Sequence, residues 1–125
     1  MGRLLIPILA LSVAITFAPI VNREWMVPSD TVGWGQDTGW IDDVNQRIVL
    51  MGHTPGVLSG LETLHGGEWL IITGEFGTRR YQVLWVELRS DDTLWWPDAN
   101  DPANLMIITC EGQGRRIVGA VLAKN

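Results

Sequence analysis

The chain has 125 residues, 46% of them hydrophobic and 18% charged, with 14 glycines, seven tryptophans and a formal net charge of -5. That size suits one domain with a single core, and the composition excludes a disordered or collagen-like chain. Fourteen acidic against nine basic residues, with no basic run, argue against a phosphate-tracking nucleic-acid surface, and a single cysteine rules out an internal disulfide or a Cys-rich zinc site.

The first 21 residues, "MGRLLIPILALSVAITFAPIV", carry one basic residue and a long apolar stretch. Two readings stand: a targeting or anchor segment, and a buried strand that opens the domain. Pro7 and Pro19 interrupt the run, and its Ile, Val, Leu and Thr content suits a strand, so the strand reading is favoured. The segment 22–40, rich in Gly, Pro, Asp and Trp, reads as irregular with one short strand near 25–27.

"QRIVLMGH" follows as a continuous apolar strand over 48–51, stopped by Gly52 and His53. Leu58, Leu61 and Leu64 stand at helical spacing before Gly66 and Gly67, which predicts one short helix leading into a strand over 69–73. "RRYQVLWVELRS" alternates bulky residues and predicts a long strand, joined to the previous one by "GEFGT". A polar and aromatic loop comes next, "DDTLWWPDANDPAN". "LMIITC" and "RRIVGAVLA" then form two strands around the turn "EGQG". The expectation is a mostly β domain: a closed or nearly closed barrel of seven to eight strands with one short helix.

Two of these strands end in a residue able to do chemistry, His53 and Cys110. Both are continuous apolar runs, as strands buried on both faces are. If they lie side by side and parallel, His53 and Cys110 emerge at one edge. The four-residue turn sets Cys110 directly opposite Arg115 across an antiparallel pair, with Arg116 on the other face. A thiol becomes a useful nucleophile beside a base or a cation, and an arginine can also donate hydrogen bonds to a developing oxyanion. The bland reading of each residue alone is a small buried cysteine and a surface or capping histidine. One Cys and two His at these separations give no metal-ligand spacing, and nothing in the chain calls for a cofactor.

The fragments "IVLMGH", "ITC" and "RRIVGAVLA" resemble, in this order, the histidine strand, the end of the TLxTC motif and the arginine strand of the sortases, bacterial cysteine transpeptidases. "LLIPIL" with "APIV", "VPSDTVGW" and "LETLHGGEWLII" resemble further sortase segments, so the likeness spans nearly the whole chain. It implies one sortase-like catalytic domain over 1–125, of a class the motifs leave open, with residues 1–21 as the first barrel strand. It also implies catalytic roles for His53, Cys110 and Arg115, with Thr109, Trp95 and Trp96 at the substrate groove. His65 matches nothing catalytic.

The implied partners are an LPxTG-type sorting-signal peptide and an amine from a cell-wall precursor or a pilin. The implied place is the bacterial cell surface, close to the membrane. Met106 departs from the motif's threonine, and the turn between Cys110 and Arg115 is shorter than in most sortases, which implies a more open groove. A sortase-like barrel that binds peptides without catalysis, and a cysteine hydrolase without amine transfer, are the alternatives.

Overall fold

A computed structural model of the chain describes residues 2–39, 47–54, 56–89, 100–111 and 114–123. The first apolar stretch forms two strands, β1 (Gly2–Ile6) and β2 (Leu11–Ala18), where the sequence suggested one. Pro7 is the reason. It lacks the N–H a ladder needs and opens a 3-10 turn, Pro7–Leu9, closed by Ala10 in the left-handed region (φ 50°) with its N–H donated to the Pro7 carbonyl. The two strands then pair antiparallel from Gly2↔Ile15 to Ile6↔Leu11, and Leu4, Ile6, Val13 and Ile15 alternate onto the core face.

A small hairpin of β3 (Ile20–Val21) and β4 (Glu24–Trp25) stands outside the barrel. Strand β5 (Val32–Gly35) then enters between β2 and β6 (Ile48–Thr54), parallel to the first and antiparallel to the second. The sequence hid β5 because glycines carry no strand signal. Here they allow close approach: a Cβ on Gly33 would lie 2.7 Å from Pro28 Cδ and 2.8 Å from Ala18 Cβ.

Leu58, Leu61 and Leu64 are all buried, but the expected helix is a single 3-10 turn, Leu61–Thr63. Gly60 sits in the left-handed region (φ 95°) at its start, with no side-chain cap, and three leucines spaced by three residues line one side of a 3-10 turn as well as of an α-helix.

β7 (Trp69–Gly74) and β8 (Gly77–Arg89) form a hairpin, and β9 (Leu105–Glu111) and β10 (Gly114–Leu122) another. The barrel closes in the order β1-β2-β5-β6-β9-β10-β8-β7. Its interior holds Leu4, Leu50, Leu70, Ile72, Leu105, Ile107 and Val118, none with any exposure.

A second apolar layer covers the outer face of β6, β9 and β10: Val49, Met51, Met106, Ile108 and Ile117, with Trp25, Val27 and Trp85 packed against it. Burial on both faces is why these strands read as unbroken apolar runs. The start of β9 is tied into the barrel by Arg47, which donates to the carbonyls of Asp101 and Ala103, and by Asn104, whose side chain accepts from Leu122 N–H. Among the described residues no helix is long and apolar enough to cross a membrane.

Candidate active site

Strands β6 and β9 run parallel and in register from Ile48↔Leu105 to Thr54↔Glu111, which pairs His53 with Cys110. On its other edge β9 pairs antiparallel with β10, and there Cys110 is opposite Arg115. Strand β10 in turn pairs with β8, where Arg115 is opposite Arg89. Four neighbouring strands therefore carry His53, Cys110, Arg115 and Arg89 at one level. With strands about 4.8 Å apart, the row is roughly 14 Å long, the span of about four residues of extended peptide.

By strand alternation His53 shares its face with Val49 and Met51, Arg115 with Ile117, and Cys110 has the position that follows Met106 and Ile108 at period two. The row thus continues the outer apolar layer, with the barrel behind it. Arg116 takes the opposite alternation, at the level of Thr109 and Leu88.

Each neighbour of the row is set by a local cause. Gly52 precedes His53, and a Cβ there would lie 2.7 Å from Leu58 Cδ1 and 3.1 Å from Val57 Cγ2, so the absent side chain is what lets the 57–58 turn close over the strand. The half-buried His53 ring has Nε2 3.4 Å from the Val27 carbonyl. Val27 follows the β3–β4 hairpin, which Gln36 holds down. Its side-chain oxygen accepts from Ile20 N–H (2.8 Å), and its backbone carbonyl accepts from Trp25 Nε1 (2.9 Å). Among the described residues Arg115 has no ion-pair or hydrogen-bond partner, while Arg89 lies 3.8 Å from Glu87 on its own strand.

The other residues singled out from the sequence fall elsewhere. Thr109 is 1% exposed, in the layer that alternates away from the row, and its Oγ1 has no hydrogen-bond partner among the described residues. Trp95 and Trp96 lie outside the described residues, as does the tip of the β9–β10 turn, residues 112–113. His65 is surface-exposed, 3.6 Å from Glu68. Among the described residues no three His, Cys, Asp or Glu cluster as a metal site would need.

Sequence reasoning missed three features: the Val27 carbonyl, Arg89, and Trp85, which crosses Gly119 on the outer face of β10 and donates from Nε1 to the Asp101 carboxylate. A backbone carbonyl has no sequence signal. Arg89 could have been suspected only by knowing which strand lies beyond β10.

An antiparallel barrel with two parallel strand pairs, and a thiol residue flanked in register by a histidine and an arginine, define a class of cysteine-bearing β-barrels. The model of the sortase domain matches residues 4–123, and the chain belongs to the sortase family. Among solved structures, a lid mutant of sortase A from Corynebacterium diphtheriae is similar at a TM-score of 0.79 and 18% identity, the alignment covering 100% of this chain and 70% of that one. Sortase C from Clostridium perfringens SM101 is similar at 0.80 and 18%, covering 100% and 70%. Sortase C1 from Streptococcus agalactiae is similar at 0.77 and 18%, covering 100% and 68%. No curated protein matches the sequence.

Proposed function

We propose that the chain is a cysteine transpeptidase that cleaves an LPxTG-type sorting signal and passes the acyl half to an amine of a cell-wall precursor or a pilin. The observation that carries this reading is the register that sets Cys110 between His53 and Arg115. The Cys110 thiolate attacks the scissile carbonyl carbon, and the carbonyl π pair moves onto oxygen, where the Arg115 guanidinium donates to the oxyanion. As the tetrahedral adduct collapses, the C–N bond breaks and His53, as imidazolium, gives its proton to the departing amine. The product is a thioester on Cys110. An incoming amine attacks it, loses its proton to the His53 imidazole and releases the Cys110 thiolate through a second oxyanion at Arg115.

The carbonyl of Val27 supports His53 by accepting from Nε2–H, which orients the ring. Thr109 is the buried chain neighbour of the nucleophile and faces away from the row, and in this reading Trp95 and Trp96 select the apolar part of the sorting signal. The short β9–β10 turn leaves the groove open on the side of the second substrate. The same reading sets the enzyme at the bacterial cell surface, close to the membrane.

The test is incubation with a fluorescent LPxTG-type peptide, with and without an added amine, followed by mass spectrometry. The expected result is an acyl adduct on Cys110 and an amine-linked product, both lost in Cys110→Ala. Cleavage with no amine product makes the protein a hydrolase. Peptide binding with neither adduct nor cleavage makes it a binding barrel.

A further inference from the structure

Strand β5 reads Val-Gly-Trp-Gly: Trp34 packs toward the barrel interior, and Gly33 and Gly35 leave the outer face bare. Residues 25–28 cross that bare face as a strap. A Cβ on Gly35 would lie 3.1 Å from Trp25 Cε2, and one on Gly33 2.7 Å from Pro28 Cδ. Between these two seats Val27 packs on the outer apolar layer, and its carbonyl meets His53 Nε2 at 3.4 Å. Strands β5 and β9 flank β6 on opposite edges, so the strap holds the imidazole from the side away from Cys110.

A bond of 3.4 Å is long, and it holds the ring only while the carbonyl is itself held. Gln36 does the holding. Its N–H donates to the Ala18 carbonyl (2.9 Å), its own carbonyl accepts from Trp25 Nε1 (2.9 Å), and its side-chain Oε1 accepts from Ile20 N–H (2.8 Å). Both ends of the β3–β4 hairpin are thereby tied to one residue, and Oε1 is the tie that depends on a glutamine side chain. In a neutral imidazole one nitrogen carries the proton and the other is an acceptor. With Nε2–H given to Val27, the acceptor is Nδ1. We infer that Gln36 is a positioning residue for the acyl transfer: through the strap it keeps Nε2–H on the Val27 carbonyl, so that Nδ1 is the nitrogen that moves the proton. In the first step the Nδ1–H bond of the imidazolium breaks as the departing amine gains its proton. In the second Nδ1 takes a proton from the incoming amine, and Nε2–H stays in place throughout. The proton transfers rest on the transpeptidase reading, whereas the position of the proton on the resting ring does not.

The experiment records long-range proton–nitrogen NMR spectra of the neutral His53 ring in the full chain, and times the Cys110 adduct formed from an LPxTG-type peptide. Wild type should show the Nε2–H tautomer. Gln36→Leu should mix the two tautomers and slow the adduct about tenfold, part of what a well-placed general acid contributes. Peptide affinity, measured by anisotropy in a Cys110→Ala background, should stay within about twofold. Gln36→Glu keeps an acceptor for Ile20 N–H and should restore most of the rate and the single tautomer. Ile20→Pro removes the donor from the other side of the same bond and should reproduce Gln36→Leu; it decides if Gln36→Leu does not fold. An Nδ1–H tautomer in wild type, an unchanged tautomer and rate in Gln36→Leu or in Ile20→Pro, or no recovery in Gln36→Glu overturns the inference. A wild type with the Nε2–H tautomer and no adduct would refute the transpeptidase reading alone. A wild type that forms the adduct with the Nδ1–H tautomer would refute the role of the strap alone.

Discussion

Trp85 occupies the space that a side chain on Gly119 would need. A Cβ at that glycine would stand 2.3 Å from two carbons of the indole ring, closer than any real contact. The two residues are register partners on β8 and β10, next to a bulge between Gly119 and Ala120, and the ring they seat is part of the outer layer that runs up to Arg115. Gly119→Ala should therefore expel the indole from the sheet and break its hydrogen bonds to Asp101, costing about 2–4 kcal/mol in urea unfolding. Trp85→Ala in the same background should add much less than it does alone, because the ring has already lost its seat.

Arg115 and Arg116 are neighbours in the chain and opposites in the sheet. Arg115→Ala should lower the rate of thioester formation by about 10²–10³-fold, the usual loss when an oxyanion donor is removed. Arg116→Ala, whose position alternates to the level of Thr109, should leave that rate within about tenfold of wild type. Stopped-time mass spectrometry of the Cys110 adduct compares the two directly.

Gly52 gives a handle on His53 that leaves the histidine itself in place. In Gly52→Ala the new methyl would meet Leu58 and Val57, so that either the 57–58 turn lifts or β6 shifts by a few tenths of an ångström. Expected are a loss of about 1–3 kcal/mol in unfolding free energy and a slower adduct step with little change in peptide affinity.

Tyr81 governs stability in alkali. It is 3% exposed, and burial raises its phenol above the ordinary tyrosine value of 10.0, an effect that nearby Arg79 offsets only in part. A raised folded value means that the folded state holds the proton more tightly than the unfolded chain does. The contribution is thus fully present below pH 10.0 and is lost as pH rises through the folded value. Tyr81→Phe should unfold at higher pH than wild type in an alkaline titration followed by circular dichroism, with neutral-pH stability changed by about 1 kcal/mol or less.

Legibility in the sequence followed the range of the interaction that decides each feature. "LMIITC" and "RRIVGAVLA" around "EGQG" implied Cys110 opposite Arg115, and the β9–β10 register has that pairing, because a short turn sets the alignment of the two strands it joins. The parallel neighbours β6 and β9 showed only as two runs apolar on both faces, a pattern that says buried but does not name the partner. Strand β5 escaped notice because Gly33 and Gly35 have no side chains to alternate. The helix expected at 58–64 became a 3-10 turn because a spacing of three residues serves both geometries, and Gly60 settles it in favour of the tighter one.

By itself, then, the sequence determined the strands whose side chains bury in strict alternation or on both faces, the tight turn that opposes Cys110 and Arg115, and the residue types able to do acyl transfer. These depend on neighbours within a few residues, where chain geometry leaves little choice. The tertiary structure alone decided that β6 lies against β9, that the Val27 carbonyl reaches the His53 ring, and that Arg89 stands beyond Arg115. Each of these joins segments tens of residues apart, and which of them meet is settled by closing one barrel around one core. No local spacing encodes that closure.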